Sequence, residues 1–321
     1  MLKMGVIGAG IVCERHIIAA EGMDSVKPCA VADIVLEKAQ SMAEKHGMRA
    51  YASYEEMIEK EELDLVVINL PHGLHREAAV YAAERKLHVF LEKPFANTTA
   101  DCDAVMEAAE KNGIVLNIGH VQRYFWHNRK AKELIANGEI GTFVMMTELR
   151  NTIYFTEQRP KWFLNRKMAG GGIFMNYCAH SLDELKWFTG SHIKSISGKA
   201  RAADERFEVD GNAQVFVEME DGTTAMFAFC GYQAPGMENA VYLYGTKGEI
   251  KIAGGKVYLS KMGSGFTEIA PEDPSDDGFV RQFHTFIHAV ETGGATPTDG
   301  AYGKEIIAAI ESVYRMSGIA E

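Results

Sequence analysis

Positive charge is what this sequence is short of. Lys and Arg total 33 against 44 Asp and Glu, a formal net charge of −11 with a pI near 5.5. A chain of that sign lacks the basic footprint that nucleic acid demands. Long apolar runs are missing too, since no stretch approaches the roughly 18 residues that cross a bilayer. Neither partner is expected. VIGAGIVC near the N-terminus is too short, and too soon followed by Glu14, Arg15 and His16, to read as a signal peptide. Cysteine is sparse, and the five present (13, 29, 102, 178 and 230) show no CxxC or metal-ligand spacing. That excludes a disulfide framework and points to no metal site; free thiols of a reducing cytoplasm are expected. Internal repeats and low-complexity segments are also lacking.

What is there is globular material: 321 residues, 47% hydrophobic, enough for two domains. Over the first 118 residues, short apolar stretches alternate with amphipathic ones. KMGVI, PCAVAD, DLVVINL, LHVFLE and IVLNIG read as strands. Helices are expected over 11–20, 36–46, 54–60 behind a Ser53 cap, 74–85 and 100–111, with Gly47 and Gly113 as stops. Continuous apolar strands between amphipathic helices predict a doubly wound parallel sheet covered on both faces. The texture then changes. After a helix near 129–136, strands alternate every other residue, with hairpins around Asp221-Gly222 and Lys247-Gly248. Helices over 279–290 and 302–316 close the chain. The expected division is a dinucleotide-binding Rossmann domain over 1–119 and, over 120–321, an α+β domain with a large, mainly antiparallel open-faced sheet for substrate binding and oligomerisation.

Gly8-x-Gly10 falls at the first strand-to-helix turn, with Ile11 and Val12 leading into the helix and Cys13 in place of a third glycine. Asp33 ends the second strand, 20 residues past Cys13 (33 − 13). In that setting glycines admit a pyrophosphate to the helix N-terminus and the acid takes the ribose hydroxyls. A carboxylate there repels a 2′-phosphate, and the neighbours Ile34 and Val35 supply no offsetting cation, so NAD is expected over NADP. Further on, Glu92-Lys93-Pro94 follows a strand at the edge where open α/β sheets bind ligands, and the proline keeps Lys93 extended.

GGGIFMNYCAHSLDELKWF, 170–188, is the other unusual stretch. Three glycines precede a helical run in which Asn176, His180 and Asp183 share one face at i, i+4 and i+7. Cys178 lies on another face and reads as packing.

The set of GxG, LPHGLH at 70–75, EKP and GGGxxxNxxxHxxD resembles the family of glucose–fructose oxidoreductase, inositol dehydrogenase and MocA. The likeness extends over nearly the whole chain, including GEIG at 138–141 and the FHTFIHAVETG…PTDG close. It implies NAD(P)-dependent oxidation or reduction of carbons on sugars, cyclitols and related polyols. It also implies that Lys93 lies beside nicotinamide and substrate, with a Lys93–Pro94 bond that can be cis, and that the helix after the glycines faces the nicotinamide, the glycines letting its start come close.

On this reading His180 is the acid/base, because an imidazole titrates near working pH. Lys93 stabilises charge on the reacting oxygen. Glu92, Pro71 and His75 join the cofactor residues; Asn176, Arg123, Trp162 and Asp183 are candidates for substrate, Asp183 also for orienting the imidazole. Asn176 departs from the family's usual aspartate and cannot ionise. Two rivals stay open: a reductase of a dihydrodiol or a nucleotide-linked sugar, and a regulator that binds NAD(H) without turnover. Finally, the uncovered face of the second sheet, with Val215, Val217, Met219, Phe227 and Phe229 as its apolar pattern, predicts a homodimer or homotetramer.

Overall fold

The computed structural model describes residues 1–204, 206–232, 239–271, 273 and 275–319. They form two compact units, Met1–Val121 with Phe279–Lys304, and Gln122–Gly278 with Glu305–Glu321.

The first unit alternates β1 (Leu2–Ile7), α1 (Cys13–Glu21), β2 (Val26–Ala32), α2 (Leu36–His46), β3 (Arg49–Tyr51), α3 (Tyr54–Lys60), β4 (Leu65–Ile68), α4 (His75–Glu84), β5 (His88–Glu92), α5 (Thr99–Asn112) and β6 (Leu116–Gly119). Helix ends obey their local signals. Ser53 accepts from the Glu56 amide at 3.2 Å, and Gly47 and Gly113 stop α2 and α5 at φ of 64° and 65°. All the strands are parallel, in the order β3-β2-β1-β4-β5-β6. The order reverses between β1 and β4, so the loop after β1 opens at the switch point where such sheets take ligands.

The second unit contains α6 (Trp126–Ala136), β7 (Phe143–Asn151), α7 (Arg166–Ala169), α8 (Ile173–Thr189), β8 (Ile193–Arg201), β9 (Asn212–Met219), β10 (Thr224–Cys230), β11 (Ala240–Gly245), β12 (Gly248–Ala253), β13 (Lys256–Lys261) and β14 (Thr267–Ile269). Its eight-stranded sheet runs β14-β13-β12-β11-β7-β10-β9-β8. It is antiparallel except where β7 lies parallel to β10. Both hairpins form, but the second turns at Thr246-Lys247, with Gly245 paired to Gly248, one residue earlier than expected.

Two expectations need correction. Val215, Val217, Met219, Phe227 and Phe229 are buried and face the layer of α8, not the open side. The open side carries the intervening residues Phe216 and Met226, 46% and 58% exposed, with Met145 and Leu149 on β7. Register decides this, because neighbouring side chains on a strand take opposite faces. The last two helices, α9 (Gly278–Thr292) and α10 (Gly300–Ser317), were expected wholly with the second domain. Phe283, Phe286 and Ile287 of α9 instead belong to the buried core of the first unit with Val67 and Phe90.

Candidate active site

The loop after β1 is built to hold something against it. Gly8 sits at φ +93°, and a Cβ there would lie 2.7 Å from the Asn69 carbonyl oxygen, so only glycine fits. At Gly10 the nearest such atom is 3.9 Å away, which leaves room for a ligand to approach the backbone. α1 begins behind Val12 with no side-chain cap. The Cys13 and Arg15 amides turn back to the Gly10 and Val12 carbonyls at 3.2 and 3.1 Å, and the uncapped positive end of the helix faces the loop where an anion is favoured. Asp33 accepts from the amides of Ala9 and Val35, each at 2.9 Å, and thereby ties the ends of β1 and β2 together. The side-chain amide of Asn69 is buried and makes no hydrogen bond. Ile11 and Ile34 stand 86% and 92% exposed on either side of this loop. Cys13, at the third motif position, is buried, and burial followed by the charges of Asp33 and Glu14 pushes its thiol up to about 12. It packs and does not react.

At the end of β5 the geometry is tightly braced. His16 Nε2 meets Glu92 Oε1 at 2.8 Å, and the other carboxylate oxygen accepts the Lys93 amide at 3.1 Å. Burial raises the Glu92 carboxyl, but the His16 hydrogen bond and the charges of His16 and Lys93 outweigh it and hold it below the usual carboxylate range. Lys93–Pro94 is cis, as the likeness implied. His75 was expected to face the cofactor. It is completely buried, with Nδ1 toward the carbonyls of Pro94 and Phe95 (3.1 and 3.2 Å) and Nε2 2.9 Å from the Leu70 carbonyl. With every ring nitrogen occupied by backbone, His75 is a strut joining the 70–75 loop, Pro71 included, to the loop that carries Lys93.

In the second unit, Asn176 and His180 lie one turn apart on α8, His180 8% exposed. The glycines before them do something other than expected. A Cβ on Gly171 would stand 1.8 Å from the Tyr314 hydroxyl, and one on Gly172 1.9 Å from the Asp210 carbonyl oxygen. Asp210 accepts from the amides of Gly172 and Phe174 (both 2.7 Å) and from the Tyr314 hydroxyl (2.6 Å), while its own carbonyl takes the Ile173 amide at 3.1 Å. The helix start is thus closed by a carboxylate from 210, which suits its positive end. Burial still raises the Asp210 carboxyl against these donors. Neither Asp210 nor Tyr314 carries a local signal, because each meets α8 from far along the chain.

Two further candidates are engaged with each other. Arg123 donates through Nε and a terminal nitrogen to Asp183 Oδ1, and the pair is buried. Asp183 therefore anchors the 122–124 turn to α8, and neither side chain stands ready for substrate. Trp162, in the turn Lys161–Leu164, stacks on Phe163 at 3.7 Å and stays partly exposed. Cys178 is buried, its thiol pushed well above the ordinary value by that burial. Among the described residues no group of three or more His, Cys, Asp or Glu could hold a metal, and no helix is long and apolar enough to cross a membrane.

Residues 2–120 match the model of the GFO/IDH/MocA oxidoreductase family with an NAD-binding Rossmann fold, and residues 128–251 match the GFO/IDH/MocA C-terminal domain. The chain belongs to this family. A GFO/IDH/MocA member is an NAD-binding oxidoreductase, and the glycine turn, uncapped helix, Asp33 and unpartnered Asn69 amide suit that cofactor. An uncharacterised oxidoreductase of Streptococcus pneumoniae is 29% identical over 95% of this chain and 81% of its own. Myo-inositol 2-dehydrogenase of Thermotoga maritima is 26% identical over 94% and 92%. Among solved structures, aldose-aldose oxidoreductase of Caulobacter crescentus in complex with glycerol superposes with a TM-score of 0.89 at 25% identity, covering 99% of this chain and 97% of that one.

Proposed function

We propose that this family member is an NAD-dependent dehydrogenase or reductase acting on a secondary alcohol, or the matching ketone, of a sugar, cyclitol or related polyol. The cradle after β1 carries the reading: Gly8, Gly10, Ile11 and Val12 for pyrophosphate, Asp33 for ribose hydroxyls. Relatives named myo-inositol 2-dehydrogenase and 1,5-anhydro-D-fructose reductase support the substrate class. NAD, when bound, supplies the hydride acceptor or donor. The protein's own task is to orient the carbinol and move its proton. His180 exchanges that proton. Lys93 hydrogen-bonds the reacting oxygen and stabilises charge on it, while Glu92, braced by His16, fixes the backbone at Lys93. Asn176 orients a hydroxyl without titrating, and Trp162 offers an apolar face to a sugar ring. His75 acts only by positioning the Lys93 loop. The first unit, with α9 in its core, serves the cofactor, and the second serves substrate and self-association, in the cytoplasm.

A panel of polyols and oxidised sugars, assayed with NAD and NADP by NADH absorbance, tests this. We expect turnover with at least one polyol and a clear preference for NAD. His180→Ala should lower kcat roughly a hundredfold or more with NADH binding intact. A variant that keeps most of its rate removes His180 from the mechanism; nucleotide binding without turnover across the panel favours a regulator.

A further inference from the structure

The segment between β7 and α8, 152–172, stands apart from the rest of the chain in charge. It holds Arg159, Lys161, Arg166 and Lys167 against Glu157, a net +3 (4 − 1) in a chain of −11. It leads directly into the helix that carries Asn176 and His180. Glu208 and Asp210 approach this segment, but both are engaged. Glu208 accepts from the Asn165 side-chain amide and the Arg166 backbone amide at 3.2 and 3.1 Å, and Asp210 closes the start of α8.

Arg159 is the cation left over. Its guanidinium carbon stands 3.9 Å from the centroid of the Tyr154 ring and 5.1 Å from that of Phe163. Aromatic rings hold a guanidinium by its face and leave its edge of N–H groups for other partners. Among the described residues, no acceptor takes that edge. Nε is buried and makes no hydrogen bond, whereas the two terminal nitrogens, equally without an acceptor, are open to solvent. A guanidinium shut in at Nε binds through its end, where two N–H groups match two oxygens of one carboxylate or phosphate.

The ring beneath Arg159 leads to a candidate substrate residue. Tyr154 is wholly buried, and its hydroxyl makes no well-formed hydrogen bond. Burial drives the phenol far up, while Arg159 and, less strongly, Asn176 draw it down. One phenol ring thus separates the Arg159 guanidinium from the Asn176 side chain. That spacing suits two substituents of one small sugar.

We propose that Arg159 binds an oxyanion carried by the substrate, a carboxylate or a phosphate, while Asn176 engages a hydroxyl of the same molecule. The inference rests on the dehydrogenase reading for the place of the substrate, and it narrows the class from polyols in general to anionic sugars. A neutral cyclitol would leave the N–H edge of Arg159 unused.

Calorimetric titration, with and without NADH, compares glucuronate and glucose 6-phosphate with glucose, from which each differs at one carbon. At least one anion should bind tenfold or more tightly than glucose. Arg159→Gln should remove that advantage, and Arg159→Lys, which keeps the charge but loses the paired N–H groups, should retain only part of it. Glucuronate ahead assigns the site to a carboxylate; glucose 6-phosphate ahead assigns it to a phosphate. Equal affinities, no binding of either anion in both conditions, or an advantage that survives Arg159→Gln overturns the proposal and leaves Arg159 as packing on Tyr154. The wild-type comparison and Arg159→Lys decide the matter if Arg159→Gln does not fold. The two readings fail separately. A neutral polyol oxidised with NAD and no anion preference sinks this one alone, whereas an anion preference without NADH binding sinks the dehydrogenase.

Discussion

Three histidines of this chain do three different jobs, and their neighbours decide which. His75 has a backbone carbonyl at each ring nitrogen and braces a loop. His180 sits on the face of α8 with Asn176. His127 is stacked on Phe125 with ring centroids 5.6 Å apart and is held neutral. The last has a measurable consequence. An unfolded histidine takes a proton below about 6.5, whereas His127 in the folded chain resists until about 4. Between those values the unfolded state binds more protons, so folding stability drops as pH falls, by up to about 3 kcal/mol at pH 4. Urea unfolding at pH 7 and pH 4 should show His127→Gln losing less stability than the wild type by about that amount. Identical losses would mean that His127 takes up its proton equally in both states. From sequence, the residue types at the site were legible, since GxG, EKP and the Asn176–His180 spacing are local. Their partners were not: Arg123 lies 60 positions from the Asp183 that occupies it, and no periodicity reveals a pairing of that kind.

Among the elements, those with end signals were readable. α2 spans 36–46 as expected because Leu36–His46 is amphipathic and Gly47 must stop it. β3 has three residues, too few for a period. β7 escaped because its inward positions include Glu148 and Arg150, which invert the apolar-in rule. The glycines before α8 were noticed, but their cause lies at Asp210 and Tyr314. Gly172→Ala tests that cause. Its methyl would overlap the Asp210 carbonyl, and the amides bonded to Asp210 would have to move with it. We expect a loss of roughly 3 kcal/mol or more in urea unfolding. A loss below about 1 kcal/mol would show that the helix entrance shifts without penalty.

For the molecule as a whole, the open side of the second sheet sets the expectation. Met145, Leu149, Phe216 and Met226 make an exposed apolar stripe across β7, β9 and β10, and soluble monomers seldom leave broad patches of that kind in water. Self-association through this face is expected, with light scattering giving at least twice the 35.4 kDa chain mass at micromolar concentration. Phe216→Asp with Met226→Asp should return it to a monomer with its fold intact. A wild-type monomer would contradict the expectation. The existence of an open face was legible from strand alternation; which residues occupy it was not, since a single position of register exchanges the two sides.

The packing of α9 has a bearing on how the protein is made. Phe283, Phe286 and Ile287 complete the interior around Phe90, yet they leave the ribosome long after the six parallel strands have emerged. Domains usually fold in the order of synthesis. Here the leading one must wait, its apolar surface partly bare, until α9, which starts 159 residues beyond the end of β6 (278 − 119), has been translated.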